Sequence, residues 1–457
     1  MLVEDQNSLN RAAEVEADSR KRLESTALRA MFWTVMDYGA STALRVVNSM
    51  ILTRLLLPES FGLMTLVATL IAGIGLISDI GLTPSVVQSP YGDQPNFLNT
   101  AWTLQVIRGA GIFVVSLLLA WPASLLYHEP RLLTLLPGLG ITVILGGFYS
   151  TNLLSMSRHM GVRRVFLLDV TGQIFSIVVT VCLALLLKSV WALMLGAILT
   201  TTYKLILGHQ RWMIPGIKNH FCWDRESLHH LVHFGKWILL GTGIYFFASQ
   251  ADRLIMGKLI SFSLLGVYGI AYAVSDIPRA IISSLTNKVM FPFIAKMSHL
   301  PAEEFRATFL QYRRRILLAG AFLLSVMVYF GGFLVTRMYD ARYHDASWMV
   351  PVLSLGLWHT LMYSTTQPAL FTLGKSQYGA VGNAFYFVIV VSAIPLGFHF
   401  YGLFGAVVAV AVGDLPMYVT YVIAASHEKI STWRQDLIAT TTFIGLLAVG
   451  YAIRLAF

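Results

Sequence analysis

Charged residues are scarce in this chain of 457 residues, at 12% of the sequence, whereas soluble domains carry about a quarter. Hydrophobic residues make up 56%, and the mean hydropathy is +0.67. This surplus of apolar surface excludes a soluble globular protein and points to lipid as the surrounding medium. The apolar residues form long continuous runs rather than the alternation of a transmembrane β-strand. The composition therefore predicts an all-α polytopic membrane protein.

Cysteine is nearly absent, and Cys182 and Cys222 lie too far apart in sequence to fit a metal-binding spacing. No Asp-x-Asp pair occurs in a loop, so neither a metal centre nor a catalytic residue is predicted. The net charge of +10 could indicate nucleic acid, but the cytoplasmic loops of membrane proteins collect Lys and Arg. We therefore predict no nucleic-acid partner.

Thirteen apolar runs are long enough to be membrane spans. They are 27–54, 60–83, 97–122, 131–154, 165–187, 189–208, 233–257, 263–291, 313–336, 348–372, 379–398, 402–425 and 436–457. The predicted organisation is a cytoplasmic tail, a six-helix bundle, a cytoplasmic linker, a second six-helix bundle and a thirteenth transmembrane helix. These segments are 1–26, 27–208, 209–230, 231–427 and 436–457, respectively.

The two bundles show a trace of internal symmetry. RLLLPESFGL begins at Arg54 and KLISFSLLGV begins at Lys258, and a basic residue, a leucine and a glycine align between them. Six helices per bundle preserve orientation, so we predict parallel repeats related by a pseudo-two-fold axis along the membrane normal. With the N-terminus in the cytoplasm, about 20 Lys and Arg lie inside and about 7 outside, which favours that orientation.

Ionisable residues within the spans are costly, at least ~2.5–3.5 kcal/mol each at the bilayer centre, and so indicate a bundle interior or a wet cavity. The basic ones are Arg45, Arg108, Arg253, Arg279 and Lys288. Because guanidinium groups bind phosphate or carboxylate in a bidentate way, we predict that this set lines a central cavity and binds an anionic substrate. The acids predicted to bind a proton or Na⁺ are Asp37, Asp252, Asp276 and Asp414.

A purely structural role stays open for some of these charges. Asp276 and Arg279 are one helical turn apart and could neutralise each other. Asp252 and Arg253 are sequence neighbours, so their side chains point about 100° apart and cannot easily face one partner.

Two other sets of residues are predicted to have structural roles. The run 313–315, three arginines, is predicted to anchor the chain at the membrane interface against acidic lipid. Five prolines interrupt spans and are predicted to kink their helices. They are Pro278, Pro351, Pro368, Pro395 and Pro416.

Two stretches carry a family signature. The first is RLLLPESFGLMTLVATLIAGIGLISDIGLTPSVVQ (54–88), and the second is SQADRLIMGKLISFSLLGVYGIAYAVSDIP followed by NKVMFPFIAKM, within 249–297. Asp252, the segment Gly266 to Tyr272 and the pair Phe291–Pro292 carry the second likeness. These stretches resemble the oligosaccharide flippases, the Wzx-like polysaccharide transporters of the MOP exporter superfamily. The thirteenth helix departs from that family's twelve-helix form.

The resemblance implies two six-helix bundles that form a V around a central cavity. It implies transport rather than catalysis, in which an undecaprenyl-diphosphate-linked oligosaccharide moves from the cytoplasmic to the periplasmic leaflet of the bacterial inner membrane. The transport is expected to use cation-coupled alternating access and to serve capsule, O-antigen or exopolysaccharide synthesis. No cofactor is expected beyond coupling H⁺ or Na⁺. Membrane lipid is a further partner, and a complex with polysaccharide polymerase and chain-length or export machinery is left open.

Two alternatives stay open beside the flippase. A MATE-like drug or cation antiporter would have acids and aromatics in its cavity without so many arginines. A membrane enzyme, such as a polysaccharide polymerase or a polyprenyl-phosphate glycosyltransferase, would have a large extramembrane loop or an acidic metal-binding motif. The cationic bias of the spans and the short loops favour the flippase over both.

Overall fold

The computed structural model describes most of the chain. The described residues are 33, 36, 39–78, 81, 82, 85, 86, 89, 91–158, 162–210, 212–214, 216–228, 231, 246, 249–286, 290–297, 301–375 and 377–456. Regular secondary structure in these residues is helical, and none of them forms a β-strand. The predicted all-α fold class is thereby confirmed.

The helices follow one another along the chain with short connections. They are α1 (Pro58–Ile77), α2 (Pro95–Tyr127), α3 (Leu132–Gly147), α4 (Asn152–Arg158), α5 (Val162–Leu187), α6 (Val190–Gly208), α7 (Phe262–Ser275), α8 (Ile277–Leu285), α9 (Phe291–Lys296), α10 (Ala302–Met338), α11 (Ala346–Thr372), α12 (Gln377–Gly413), α13 (Leu415–His427) and α14 (Trp433–Ala456). Residues 39–55 and 249–259 are also helical.

Seven helical stretches of the described chain are long and apolar enough to cross a membrane. They are Pro58–Ile77, Pro95–Tyr127, Arg163–Leu187, Val190–Gly208, Glu303–Met338, Gln377–His427 and Trp433–Ile453. The pair α7 and α8, bent by 40° at the break between them, can count as an eighth span. The chain is therefore a multi-pass membrane protein.

The longest apolar stretch, Gln377–His427, changes direction where the sequence predicts two separate spans. Tyr401 and Gly402 leave the helical conformation, and the φ of Gly402 is +58°, a value that side chains with a Cβ disfavour. A Cβ on Gly405 would lie 2.1 Å from the carbonyl oxygen of Gly397, so the two arms of this turn pack backbone against backbone. The turn lies at the predicted boundary between the spans 379–398 and 402–425.

The described residues divide into two compact units. The first contains those of Met1–Ile51, Ser78–Ala120 and Leu133–Leu239, and the second contains those of Leu52–Ile77, Trp121–Leu132 and Leu240–Phe457. Helix α1 thus groups with helices from the second half of the sequence. The division into bundles at 27–208 and 231–427 stays a prediction.

In the first unit, part of the predicted linker is fixed against α2 by polar side chains. The backbone N–H of Cys222 donates to Thr103 Oγ1 at 3.0 Å, and that of Asp224 donates to Thr100 Oγ1 at 3.3 Å. Both threonines are buried. An extended segment has no helical partners for its backbone groups, so these side chains supply them. The linker therefore follows a defined path along α2.

In the second unit, α1 and α7 approach to backbone contact. A Cβ on Gly62 would lie 1.8 Å from the carbonyl oxygen of Phe262, and a Cβ on Gly266 would lie 2.0 Å from that of Pro58. Only a residue without a side chain permits this approach. Gly62 and Gly266 are also the glycines that align in the sequence repeat, so the repeated position itself forms the contact.

Helix α14 is held to α10 by a buried ion pair. Arg313 Nη2 lies 2.7 Å from Asp436 Oδ1, and the two side chains are 0% and 2% exposed. The same guanidinium donates to the carbonyl oxygen of Met362 in α11 and to Gln435 Oε1, each at 2.9 Å. The prediction that 313–315 faces lipid is therefore wrong for Arg313. Asp436, in the first turn of α14, supplies the counter-charge that makes its burial tolerable.

Removing either charge of this pair should destabilise the protein strongly. We expect Asp436→Asn and Arg313→Met each to lower the free energy of unfolding by about 3–5 kcal/mol, because each leaves a buried charge uncompensated. The double variant Arg313→Met/Asp436→Leu should recover much of the loss. Thermal unfolding of the purified protein in detergent measures both effects. Arg337→Met, an exposed change in the same helix, is the control, and equal melting of Asp436→Asn and the control would contradict the assignment.

Candidate functional site

Helix 249–259 presents two neighbouring charges to two different cavities in the second unit. Arg253 lines a cavity of about 410 Å³ together with residues of α1 and α7. Asp252 lines a smaller cavity of about 40 Å³. Successive residues of a helix point about 100° apart, which is why one helix can serve two cavities at once.

The larger cavity contains a guanidinium whose contacts are with neutral groups. Arg253 is half-buried, its Nη1 donates to Gln250 Oε1, and its Cζ lies 4.9 Å from the ring centroid of Tyr272. The amide and the ring orient the guanidinium without cancelling its charge. Thr65 and Thr69 contribute to the α1 wall. The cavity therefore offers an anion a fork of charged donors beside hydroxyl groups.

Three aspartates, Asp252, Asp276 and Asp414, line the smaller cavity. Asp252 is 5% exposed and accepts a hydrogen bond from Tyr268 at 2.6 Å, while Thr360 Oγ1 donates to Asp414. The volume of about 40 Å³ exceeds the roughly 10–15 Å³ that one water molecule requires. The structure thus brings together three of the four acids predicted from the sequence as cation sites.

Two of these acids lie at breaks between helices. Asp276 ends α7 and precedes α8, and Asp414 separates α12 from α13. In both places the sequence is Asp-x-Pro, and Pro278 and Pro416 enter the first turn of the following helix, where a missing N–H does no harm. Each break leaves a helix C-terminus with carbonyl groups of partial negative charge. The repeated motif therefore places carbonyl oxygens, which are possible cation ligands, at the helix ends beside the two aspartates.

No three His, Cys, Asp or Glu side chains in the described part of the chain are placed to share a metal ion. A cation in the smaller cavity would therefore take some of its ligands from hydroxyl oxygens such as those of Ser249 and Ser275. A backbone contact forms part of the cavity wall, because both residues line the cavity and a Cβ on Gly356 would lie 2.2 Å from the carbonyl oxygen of Ala411.

Arg279 forms the ion pair that the sequence analysis left open. Its Nε lies 2.5 Å from Asp276 Oδ1 and its Nη2 lies 2.9 Å from Asp276 Oδ2, a bidentate geometry. The arginine side chain is 37% exposed and the aspartate 21%. The pairing reduces the positive charge that Arg279 offers to a ligand, although its remaining exposure leaves one face accessible.

Arg108 lies in the first unit, on a separate cavity of about 370 Å³. Its Nε donates to Ser78 Oγ at 3.3 Å. Gln105 shares this cavity and is fixed by hydrogen bonds from its amide nitrogen to the carbonyl oxygens of Gly146 and Gly147, at 3.1 and 3.0 Å. Arg108 is thus a half-buried cation on a polar cavity wall.

Arg45 does not line any of these three cavities. Arg45 is exposed, and its guanidinium donates at 3.3 Å to the carbonyl oxygen of Ser41 and to Thr42 Oγ1, both in its own helix. Lys288 and Asp37 lie outside the described residues. Their roles as cavity cation and coupling acid stay predictions.

Several site residues were missed by sequence reasoning because they are neutral. Tyr268 and Tyr272 are four residues apart, one helical turn, which is a spacing that could have pointed to a shared face toward Asp252 and Arg253. Thr360 carries no such signal, because hydroxyl residues are common throughout the spans. Charge alone draws attention within an apolar run, while the neutral groups that orient it do not.

These features define a class of protein: a helical, multi-pass membrane protein with broken helices beside its cavities. The chain belongs to the Polysaccharide biosynthesis protein family, which matches residues 51–348, more than half of its length. This match confirms the resemblance to polysaccharide flippases noted from the sequence.

Named relatives point in the same direction. The chain is 24% identical to the succinoglycan biosynthesis transport protein ExoT of Rhizobium meliloti (strain 1021) over 279 residues, which cover 60% of this chain and 55% of that protein. It is 20% identical to the lipopolysaccharide biosynthesis protein WzxC of Escherichia coli (strain K12) over 438 residues, which cover 92% and 87% of the two chains. The match thus spans about half the length of ExoT and most of WzxC.

Two solved structures share the fold. The lipid II flippase MurJ in an inward closed conformation matches with a TM-score of 0.64 at 12% identity, over 93% of this chain and 98% of that one. An inward-facing multidrug resistance MATE family transporter of the MOP superfamily matches with a TM-score of 0.61 at 13% identity, over 89% and 95%. At these identities the likeness establishes the fold alone.

A double-mutant cycle tests whether Arg279 and Asp276 act as one unit. We expect Asp276→Asn and Arg279→Gln each to destabilise the protein, and the double variant to lose less than the sum, with an interaction energy of about 0.5–3 kcal/mol. Thermal unfolding in detergent provides the four values. The same cycle at Asp340 and Arg342, a pair of similar exposure with a single hydrogen bond between the side chains, serves as the comparison and should give a smaller interaction energy. Additive effects at Asp276 and Arg279 would show that the two charges act independently.

Proposed function

We propose that the protein is a flippase that moves an undecaprenyl-diphosphate-linked oligosaccharide from the cytoplasmic to the periplasmic leaflet of the bacterial inner membrane. Family membership supports this proposal, as do the transport and polysaccharide names of its relatives. The observation that carries it is the guanidinium of Arg253, held by neutral partners on a cavity of about 410 Å³. A diphosphate is the part of such a cargo that a guanidinium binds best.

A site that binds the diphosphate does not need to recognise the sugar. The relatives are named for different polymers: succinoglycan, lipopolysaccharide, teichuronic acid and amylovoran. What lipid-linked precursors of different polysaccharides can share is the carrier and its phosphate groups. A site that recognises the anionic linkage therefore accounts for one fold serving several sugars.

Transport is proposed to follow alternating access coupled to H⁺ or Na⁺. The support is the cavity of three aspartates beside the cavity of Arg253, joined by neighbouring residues of one helix. In transporters, the ends of broken helices take part in binding coupling ions near the substrate site. A cation at Asp252 changes the electrostatic potential at Arg253, so occupation of one cavity alters the affinity of the other.

The proposed orientation places the N-terminus in the cytoplasm. Under this orientation Arg54, Arg131 and Arg342 belong to the periplasmic side. In the second unit, Arg342 Nη2 donates to the carbonyl oxygen of Arg54 at 3.1 Å, and Arg131 pairs with Glu59 and Glu129. The hydrogen bond from Arg131 holds the pKa of Glu129 below its usual value. A complex with polysaccharide polymerase and export machinery is part of the proposal and rests on the resemblance alone.

A MATE-like antiporter is the alternative function, and the shared fold does not separate the two. The arginines separate them better, because a cavity that binds cationic drugs gains nothing from the guanidinium of Arg253. Deletion of the gene distinguishes the functions directly: loss of a flippase leaves lipid-linked repeat units on the cytoplasmic leaflet, whereas loss of a drug antiporter changes drug sensitivity alone.

Charge removal at Arg253 should block export while leaving the protein in the membrane. In a host lacking the native copy, we expect Arg253→Gln to lower surface polysaccharide by about tenfold or more, because a hydrogen bond to a charged group contributes about 1.5–3 kcal/mol. Arg108→Gln should also lower it, with unprocessed lipid-linked repeat units retained in the inner leaflet. Immunoblots of the membrane fraction report insertion. Arg337→Gln, an exposed arginine, is the control, and full export by Arg253→Gln would rule out the cavity assignment.

The cation proposal has a separate test on the purified protein. A coupling ion that binds only the folded state raises the melting temperature in proportion to ln(1 + [ion]/Kd). We expect Na⁺ in place of choline to stabilise the unaltered protein, and Asp252→Asn and Asp414→Asn to abolish that shift. If H⁺ is the ion, stabilisation should instead follow pH and be lost in the same variants. Asp169→Asn, which removes the partner of Lys204, is the control. A shift that persists in both cavity variants would exclude this site.

A further inference from the structure

A further cavity lies away from the charges proposed to bind the cargo and the coupling ion. It measures about 890 Å³ and lies between α10 and the start of α14, in the second unit. None of its lining residues lines the cavities of Arg253 or Asp252. We refer to it as the α10–α14 groove.

Four arginines line this groove: Arg306, Arg314, Arg315 and Arg434. All four are exposed, and none forms an ion pair with another residue in the described part of the chain. The acids nearest in sequence do not line the groove. Glu303 and Glu304 lie in the first turn of α10, and Asp436 is buried against Arg313. The groove therefore carries a net positive charge that no lining residue balances.

The groove is amphipathic along its length. Leu318 and Ile438, from α10 and α14, continue its wall beyond the arginines and are both exposed. Trp433 also lines the groove, and Arg434 Cζ lies 5.3 Å from the centroid of its indole ring. Tryptophan at a helix end is typical of the membrane headgroup region. A charged end followed by an apolar end matches a lipid whose phosphate lies at the interface and whose chains lie in the bilayer.

The floor of the groove is fixed before any ligand binds. Gln435 lines it, donates from Nε2 to the carbonyl oxygen of Leu310 at 2.6 Å and accepts from Arg313 Nη1 at 2.9 Å. Arg313 is in turn held by Asp436. The spacing between α10 and α14 is therefore set by buried contacts, which leaves the outer arginines available to a ligand.

We propose that the α10–α14 groove binds an anionic glycerophospholipid of the surrounding membrane. Charge complementarity carries the proposal, because a phosphate diester needs the guanidinium groups that the groove supplies in excess. Basic pockets between transmembrane helices on the cytoplasmic side are suited to such headgroups. The volume of about 890 Å³ falls within the range of pockets for small molecules and is far larger than an inorganic anion requires. The single negative charge of the bound phosphate offsets part of the positive charge of the four arginines.

Native mass spectrometry of the purified full-length protein tests this proposal with dioctanoyl phosphatidylglycerol as the probe. We expect phosphatidylglycerol to bind at least about tenfold more tightly than zwitterionic dioctanoyl phosphatidylcholine. The triple variant Arg306→Gln/Arg314→Gln/Arg434→Gln should bind it roughly 100-fold more weakly, from the contribution of each basic residue near an anionic headgroup. The matched variant Arg163→Gln/Lys188→Gln/Arg337→Gln removes three exposed charges that do not line the groove and should bind as the unaltered protein does.

Competition experiments distinguish a membrane phospholipid from other phosphate-containing ligands. Inorganic phosphate at the same concentration should not displace phosphatidylglycerol, and a polyprenyl phosphate should not displace it more effectively than a second anionic phospholipid does. Displacement by inorganic phosphate, or displacement by polyprenyl phosphate that exceeds that by the second phospholipid, overturns the assignment to membrane phospholipid, as does unchanged binding by the triple variant. The triple Arg→Lys variant keeps the charge and should retain most of the binding, which guards against a folding defect. No cargo is present in this experiment, so its outcome is independent of the proposed flippase activity.

Discussion

An ionised side chain inside a membrane protein must find a counter-charge, a polar partner or water, because lipid supplies none of them. The second unit satisfies this constraint in three different ways. Arg313 is buried against Asp436, Arg279 is paired with Asp276 while partly exposed, and Arg253 is held by neutral groups on a cavity wall. The first arrangement fixes two helices together, and the second pairs the guanidinium with a carboxylate. In the third, the direct contacts of the guanidinium are neutral, and Asp252 and Asp276 act on its charge from a distance.

The site depends on one local property of the α-helix, the rotation of about 100° between neighbours. It allows Asp252 and Arg253 to face separate cavities although they share a peptide bond. The proposed anion site and cation site built in this way lie on one helix, and the charges of Asp252 and Arg253 act on each other. Coupling between cargo and ion then requires no long pathway through the protein.

Backbone contacts and breaks position these charges. Gly62 and Gly266 allow α1 to lie directly on α7, which forms one wall of the Arg253 cavity. The two Asp-x-Pro breaks place Asp276 and Asp414 at helix ends rather than within regular turns. Glycines, which lack a side chain, and prolines, which lack an N–H, thus position the polar residues that are proposed to bind.

Sequence alone determined the fold class, many of the span boundaries, the break at Pro278 and the divergence of Asp252 and Arg253. These depend on hydropathy and helical rotation, which are local properties. Tertiary structure decided which charges are cancelled. In the sequence, Arg313 resembles Arg314 and Arg315, and all three are predicted to face lipid. The structure pairs Arg313 with Asp436, which lies far along the chain. Tyr268 is identified as a site residue only by its hydrogen bond to Asp252. A charge's partner is set by packing between distant segments, and a single sequence carries no record of which segments meet.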